Sequence, residues 1–228
     1  MRLLVSWRHL FLIARKDIVL EWRSRARISA TVFFAIITLL LFSFAIGPNL
    51  NSLSQNAPGF FWLAIFLSSV LSLGESMRIE NENSAINCLR LLPVSAATIF
   101  LAKSLVNTCF LFILSLVLLP FMIILYDVKV TFTILPLFGV LALGTAAISA
   151  PGTLFSWLAI KARAKDILLP LLLFPIVIPN LLATVKATSL IFNNDPTDQI
   201  YTWLLLLFCF NLIYWFVCGL LFEHVIEE

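Results

Sequence analysis

The residues best suited to chemistry lie in one short polar stretch, MRIENENSAINCLRLLPVS, running from Met77 to Ser95. Glu80, Asn83, Asn87 and Arg90 recur there at intervals of three and four. On a helix that spacing puts them on one side and Ala85, Ile86, Leu89 and Leu92 on the other. A carboxylate, two amides and a guanidinium in such a row suit charge-assisted hydrogen bonds to another surface. A solvated loop with accidental periodicity would read the same way. Pro93 ends any helix here, and Ser95 is placed to cap the next one.

The rest of the chain offers little that could react. No nucleophile, base and orienting group recur close together, so an enzyme is not expected. There is no GxxxxGK[ST] loop to cradle a nucleotide. His9 and His224 have no ligand-like neighbours at suitable spacing, and read as surface or interfacial residues. The cysteines, Cys88, Cys109, Cys209 and Cys218, show no CxxC pair; the last three fall in apolar runs, where a thiol packs as a small hydrophobe. Neither a metal site nor a resident cofactor is expected.

The elements that must position the polar stretch are set by composition. With 61% hydrophobic residues, 12% charged and a mean hydropathy of +1.05, the chain lies outside the soluble range and reads as one all-α integral membrane domain, 1–228. Apolar runs at Ile28 to Ile46, Pro58 to Gly74, Ile99 to Leu125, Thr131 to Ile160, Ile167 to Leu190 and Tyr201 to Phe222 predict six spans within 28–222. The fourth run exceeds one straight span, and Pro136, Gly144, Pro151 and Gly152 predict a bent or broken helix. Pro170, Pro175 and Pro179 predict a kink in the fifth, either a bending point or a fixed feature of packing. The ionisable residues nearest the spans, among them Glu75, Lys103, Asp127, Lys186 and Glu223, fall at span ends, unlike the buried groups of ion-coupled carriers.

Charge sets the orientation. Thirteen of the fifteen basic residues precede the first span or lie near the loops after spans two and four, and only Lys129 and Lys186 face the other way. The outer loop GPNLNSLSQNA carries no charge. Both termini and the Met77–Ser95 stretch are therefore expected in the cytoplasm. The net charge of +3 reflects this asymmetry, and no nucleic-acid partner is expected. The basic leader is too long, and the first apolar run too complete, for a cleaved signal.

Residues 1–27 read as an interfacial helix on the inner leaflet. Leu3, Leu4, Trp7, Leu10, Phe11, Ala14, Ile18 and Trp22 share one face, and Arg8, His9, Arg15, Lys16 and Arg23 lie elsewhere. Leu12, Ile13 and Leu20 fall off the apolar face and suit contact with a partner or the bundle. A polybasic anchor to anionic lipid would explain the arginines but not the tryptophans.

The stretch NSAINCLRLLPVSAATIFLAKSL resembles the cytoplasmic signature of ABC-2-type permeases, in which a Leu-rich turn ending in Pro precedes the third span and a Lys follows it. AIGPN after the first span, APGFFWLAIFLSSVLSL through the second, LRLLPVSAATIFLAK, APG at Ala150 to Gly152 and ILLPLLLFPIVIPNLL in the fifth resemble, in order and spacing, the CcmB family of haem exporter permeases. The Asn-rich second loop departs from the acidic or Gly-containing stretch frequent in that family.

The resemblance implies a non-catalytic permease of the bacterial inner membrane serving cytochrome c maturation. Its implied partners are a cytoplasmic ATPase of the CcmA type that uses the ATP, a haem-handling CcmC-type subunit, a small CcmD-type subunit and a CcmE-type haem chaperone. Haem would be delivered to the periplasm, or haem-loaded chaperone released, and the lack of an outer histidine favours release. It also implies that Glu80, Asn83, Asn87 and Arg90, with the Leu92–Pro93 turn, meet the ATPase and work as a handle. The alternatives are an ABC-2 permease exporting a lipid or drug, and a scaffold that transports nothing.

Overall fold

Apolar runs of spanning length satisfy their backbone hydrogen bonds within themselves as helices, since lipid offers no other partner. The computed structural model describes residues 7–82, 94–129, 134–161, 165–193 and 199–227. Among them are seven helices and no strand: α1 (Trp7–Arg23), α2 (Arg25–Ile46), α3 (Leu50–Glu82), α4 (Ala96–Leu125), α5 (Ile134–Lys161), α6 (Lys165–Phe192) and α7 (Ile200–Glu227). Helices α2 to α7 are long and apolar enough to cross a membrane, so this is a multi-pass membrane protein.

Two boundaries differ from expectation. The chain turns after α2 at Gly47, whose φ of +78° is one that side chains rarely adopt. Asn49 then starts α3 at once: its Oδ1 accepts from Ser52 N at 3.2 Å, and its carbonyl from Leu53 N at 2.9 Å. Most of the polar stretch expected to be an outer loop is thus the first two turns of α3, with Pro58 inside the helix. At its other end α3 runs past Gly74 to Glu82, because no helix breaker intervenes.

Helix α5 is the centre, packed against α3, α4, α6 and α7. Of the two expected forms, bent or broken, the break does not occur. Pro136 sits in the first turn, where its missing N–H costs nothing, and Pro151 is accommodated within one continuous helix. Gly144 and Gly152 serve close approach instead: a Cβ on the first would overlap the Trp62 indole, and one on the second the Leu73 side chain. Neighbours also bond to α5 backbone. Asn211 Nδ2 donates to Leu143 O at 2.9 Å, Asn180 Nδ2 to Gly144 O at 3.3 Å, and Trp215 Nε1 to Ala146 O at 3.2 Å.

The three prolines of α6 likewise lie inside one helix, and Tyr214 Oη of α7 donates to Ile176 O at 2.6 Å between Pro175 and Pro179. Helix α1 and the C-terminal part of α7 meet at one end of the bundle. There Ile13 of α1 packs with Ile99 and Phe100 of α4, Trp157 of α5 and Phe222 of α7.

Candidate functional site at the basic end of the bundle

A helix, α1, is present where the interfacial one is expected, but its faces are divided otherwise than by the hydrophobic pattern. Leu10, Ile13, Ala14 and Asp17 turn towards the bundle, while Phe11 (67% exposed) and Trp22 (76%) stay outside with Ile18, as a membrane surface requires. Ile13, off the predicted apolar face, packs on the bundle, whereas Leu12 and Leu20 are exposed. Leu3 and Leu4 lie outside the described residues.

The inward turn of Asp17 creates a buried ionic site that the sequence reading missed. Asp17 is 8% exposed and Lys103, from the third turn of α4, only 3%. Lys103 Nζ donates to Asp17 Oδ2 at 3.3 Å, and Lys16 Nζ lies 3.0 Å from Oδ1. One turn along α1, Glu21 pairs with Arg27 at the start of α2. Burial pushes the Glu21 carboxyl above its usual value, against the opposing pull of Arg27. Isolated ions in such places would each cost several kcal/mol, of order 3–5 when a partner is removed, so the pairs tie α1 to both α4 and α2.

These groups line a cavity of about 260 Å³ where α1, α2, α4 and the end of α3 meet. Ser76 of α3 lines it immediately before Met77, and Asn107 of α4 lines it one turn beyond Lys103. Asn107 Nδ2 donates to Thr153 Oγ1 at 2.9 Å, and Ser149 Oγ to Ser104 O at 2.7 Å, so the α4–α5 seam behind the cavity is hydrogen-bonded. The only signals in the sequence were two acids one turn apart on α1 and a lysine inside an apolar run.

Of the stretch expected to act as a handle, the structure describes the two ends. Met77 to Glu82, including Glu80, continue α3 as backbone helix. Ser95 caps α4 as expected, accepting from Thr98 N at 3.4 Å with its hydroxyl 2.8 Å from Thr98 Oγ1. Asn83, Asn87, Arg90, Leu92 and Pro93 lie outside the described residues, as does Cys88. Among the described residues Cys109, Cys209 and Cys218 are free thiols, and His9 and His224 are exposed at the basic end. A second cavity, also about 260 Å³, opens at the other end between Asn51, Gln55, Asp127, Lys129 and Asn193.

A six-span bundle with a surface helix ion-paired to its third span is an arrangement many permeases could share, and sequence comparison decides among them. The profile of the CcmB family, described as CcmB protein, matches residues 8–227. The chain belongs to the CcmB family. Heme exporter protein B of Pseudomonas aeruginosa is 29% identical over 193 residues, 85% of this chain and 86% of that one. The namesake from Haemophilus influenzae is 30% identical over 75% of this chain and 76% of its own, and that of Escherichia coli K12 is 33% identical over 44% of each. For a CcmB-family chain, the matched span takes in α1 from Arg8 onward together with all six spanning helices, so the buried ionic site lies within the shared region.

Proposed function

We propose that this chain is the permease subunit of an ABC-type haem export complex serving cytochrome c maturation in a bacterial inner membrane. What carries the reading is the family match across residues 8–227, with relatives named heme exporter protein B matched over most of their length. The basic end, holding both chain ends, faces the cytoplasm because its lysines and arginines resist translocation. An ATPase of the CcmA type docks there and supplies the energy, and this subunit performs no catalysis. CcmC-type, CcmD-type and CcmE-type proteins complete the assembly, with haem as cargo.

Residues 77–95 act as a handle between α3 and α4. A push on it from the closing ATPase enters α4 at its Ser95 cap and reaches Lys103 just over two turns later, where the Asp17 pair passes it to α1. Glu80, Asn83, Asn87 and Arg90 form the contacting face, and Leu92 and Pro93 shape the turn. The test is to purify this chain with the ATPase and the haem-handling subunit, and to assay ATP-driven release of haem-loaded chaperone. Release that disappears in a Glu80→Ala/Arg90→Ala variant supports coupling through the handle. Assembly without ATP-dependent release makes the chain a scaffold, and failure to assemble removes the haem-export reading.

A further inference from the structure

Among the described residues that line the cavity at the basic end, cations outnumber carboxylates. Three cations, Arg23, Arg27 and Lys103, line it against two carboxylates, Asp17 and Glu21. Lys103 is matched by Asp17 and Arg27 by Glu21, while Arg23 has no ion-pair partner among the described residues. Ser24 and Arg27, both lining residues, bracket the N-terminus of α2. The Ser24 hydroxyl makes no capping bond there, and a 22-residue helix begins with the positive end of its dipole beside the cavity.

The second observation is independent of the helix end. The Arg27 side chain is only 8% exposed, and Glu21 engages its terminal nitrogen, yet its Nε–H is buried with no acceptor. A buried donor on a cation without an acceptor is costly, and oxygen anions take guanidinium forks through two adjacent N–H groups. The donors gathered around the cavity, the guanidinium groups of Arg23 and Arg27, the Ser24 hydroxyl and the first N–H groups of α2, are of the kind that a tetrahedral oxyanion takes.

The surroundings narrow the class of anion. Helix α2 enters the membrane here, and on α1 the lining residue Leu20 and its neighbour Trp22 are exposed. The cavity thus sits at the depth of lipid headgroups. We propose that it binds a phosphate group, carried by an anionic phospholipid of the adjoining leaflet or present as free phosphate. Bound there, the group stitches α1 to α2 and fixes the surface helix against the bundle.

The full chain, purified in phosphate-free detergent, would be titrated with phosphatidylglycerol, with diacylglycerol as the phosphate-free control, and with inorganic phosphate. Bound ligand would be read by native mass spectrometry. The expected result is one retained phosphatidylglycerol, no retained diacylglycerol, and an affinity lowered about tenfold by Arg27→Lys, which keeps the charge but removes the Nε–H donor. Arg23→Gln leaves both ion pairs in place, and should weaken binding several-fold without loss of helix content, which covers the case in which Arg27→Lys does not fold. Binding of millimolar inorganic phosphate with the same sensitivity to these variants identifies the free anion as the source. Equal retention of diacylglycerol, or binding unchanged by both Arg23→Gln and Arg27→Lys, overturns the site.

Discussion

Breaking the Asp17–Lys103 pair should cost more than any other single change at the basic end. The two charges are 3.3 Å apart and almost fully buried. At an effective dielectric of about 20 their attraction is about 5 kcal/mol, offset largely by the desolvation of both ions. Asp17→Asn removes the buried carboxylate that Lys103 meets at 3.3 Å, at an expected loss of about 3–5 kcal/mol. Lys103→Met should cost less, about 1–3 kcal/mol, because the Lys16 ammonium still lies 3.0 Å from Asp17 Oδ1. The double variant Asp17→Asn/Lys103→Met should recover at least about 1 kcal/mol relative to the sum of the single changes. Reversible unfolding in mixed micelles, followed by helical circular dichroism, measures all four corners of the cycle. A coupling energy under about 0.5 kcal/mol would refute the claim that this pair ties α1 to α4.

Gly144→Ala must push a methyl group into Trp62, and should lower stability by about 1–3 kcal/mol in the same unfolding assay. Trp62→Phe strips Thr188 of its 2.9 Å donor, at about 1 kcal/mol, and pairing it with Gly144→Ala should cost less than the sum because the smaller ring makes room. The Glu21 carboxyl, raised by burial, binds its proton more tightly in the folded state. Its contribution to stability is therefore complete below the ordinary carboxylate pKa of about 4.3 and is lost as pH rises through the raised value. Thermal midpoints measured across that window should fall less steeply with pH in Glu21→Gln. Pro175→Ala restores a backbone donor within α6; ATP-driven chaperone release should drop while the unfolding midpoint holds or rises, and normal release would leave Pro175 as a fixed packing feature.

The spans were legible because a run of spanning length has one stable form in lipid. What failed was everything decided between helices. Asn49 to Asn56 read as loop because asparagines and serines favour turns, but Asn49 spends that tendency on capping α3 and the rest follow as helix. The apolar face of α1 came out rotated, because a one-helix pattern cannot separate a face meeting lipid from a face meeting protein. Both are apolar, and here the protein-facing side also carries Asp17. Its partner Lys103 is 86 residues away, so no spacing rule joins them. Gly144 and Gly152 were read, with Pro136 and Pro151, as places where α5 bends or breaks, whereas the structure uses them for their missing side chains.

The polar contacts inside the bundle also say where movement could occur. In lipid, side-chain hydrogen bonds between helices hold them in register, each contributing on the order of 0.6 kcal/mol. Helix α6 is held at Asn180 to Gly144 of α5, and at Thr188 to Trp62 of α3. Both contacts lie beyond Pro179, in the half of α6 remote from Lys165. Pro170 and Pro175 fall in the other half and Pro179 lies at the midpoint; in that other half Tyr214 to Ile176 is the cross-helix hydrogen bond among the described residues. A bend at the prolines would therefore swing the basic-end half of α6 while its far half stayed fixed to α3 and α5. Under the proposed docking of an ATPase on residues 77–95, the motion would be largest at the basic end and smallest around Trp62. Cross-linking the far half of α6 to α5 should then leave coupling intact, and cross-linking Ile167 or Leu168 to α5 should abolish it.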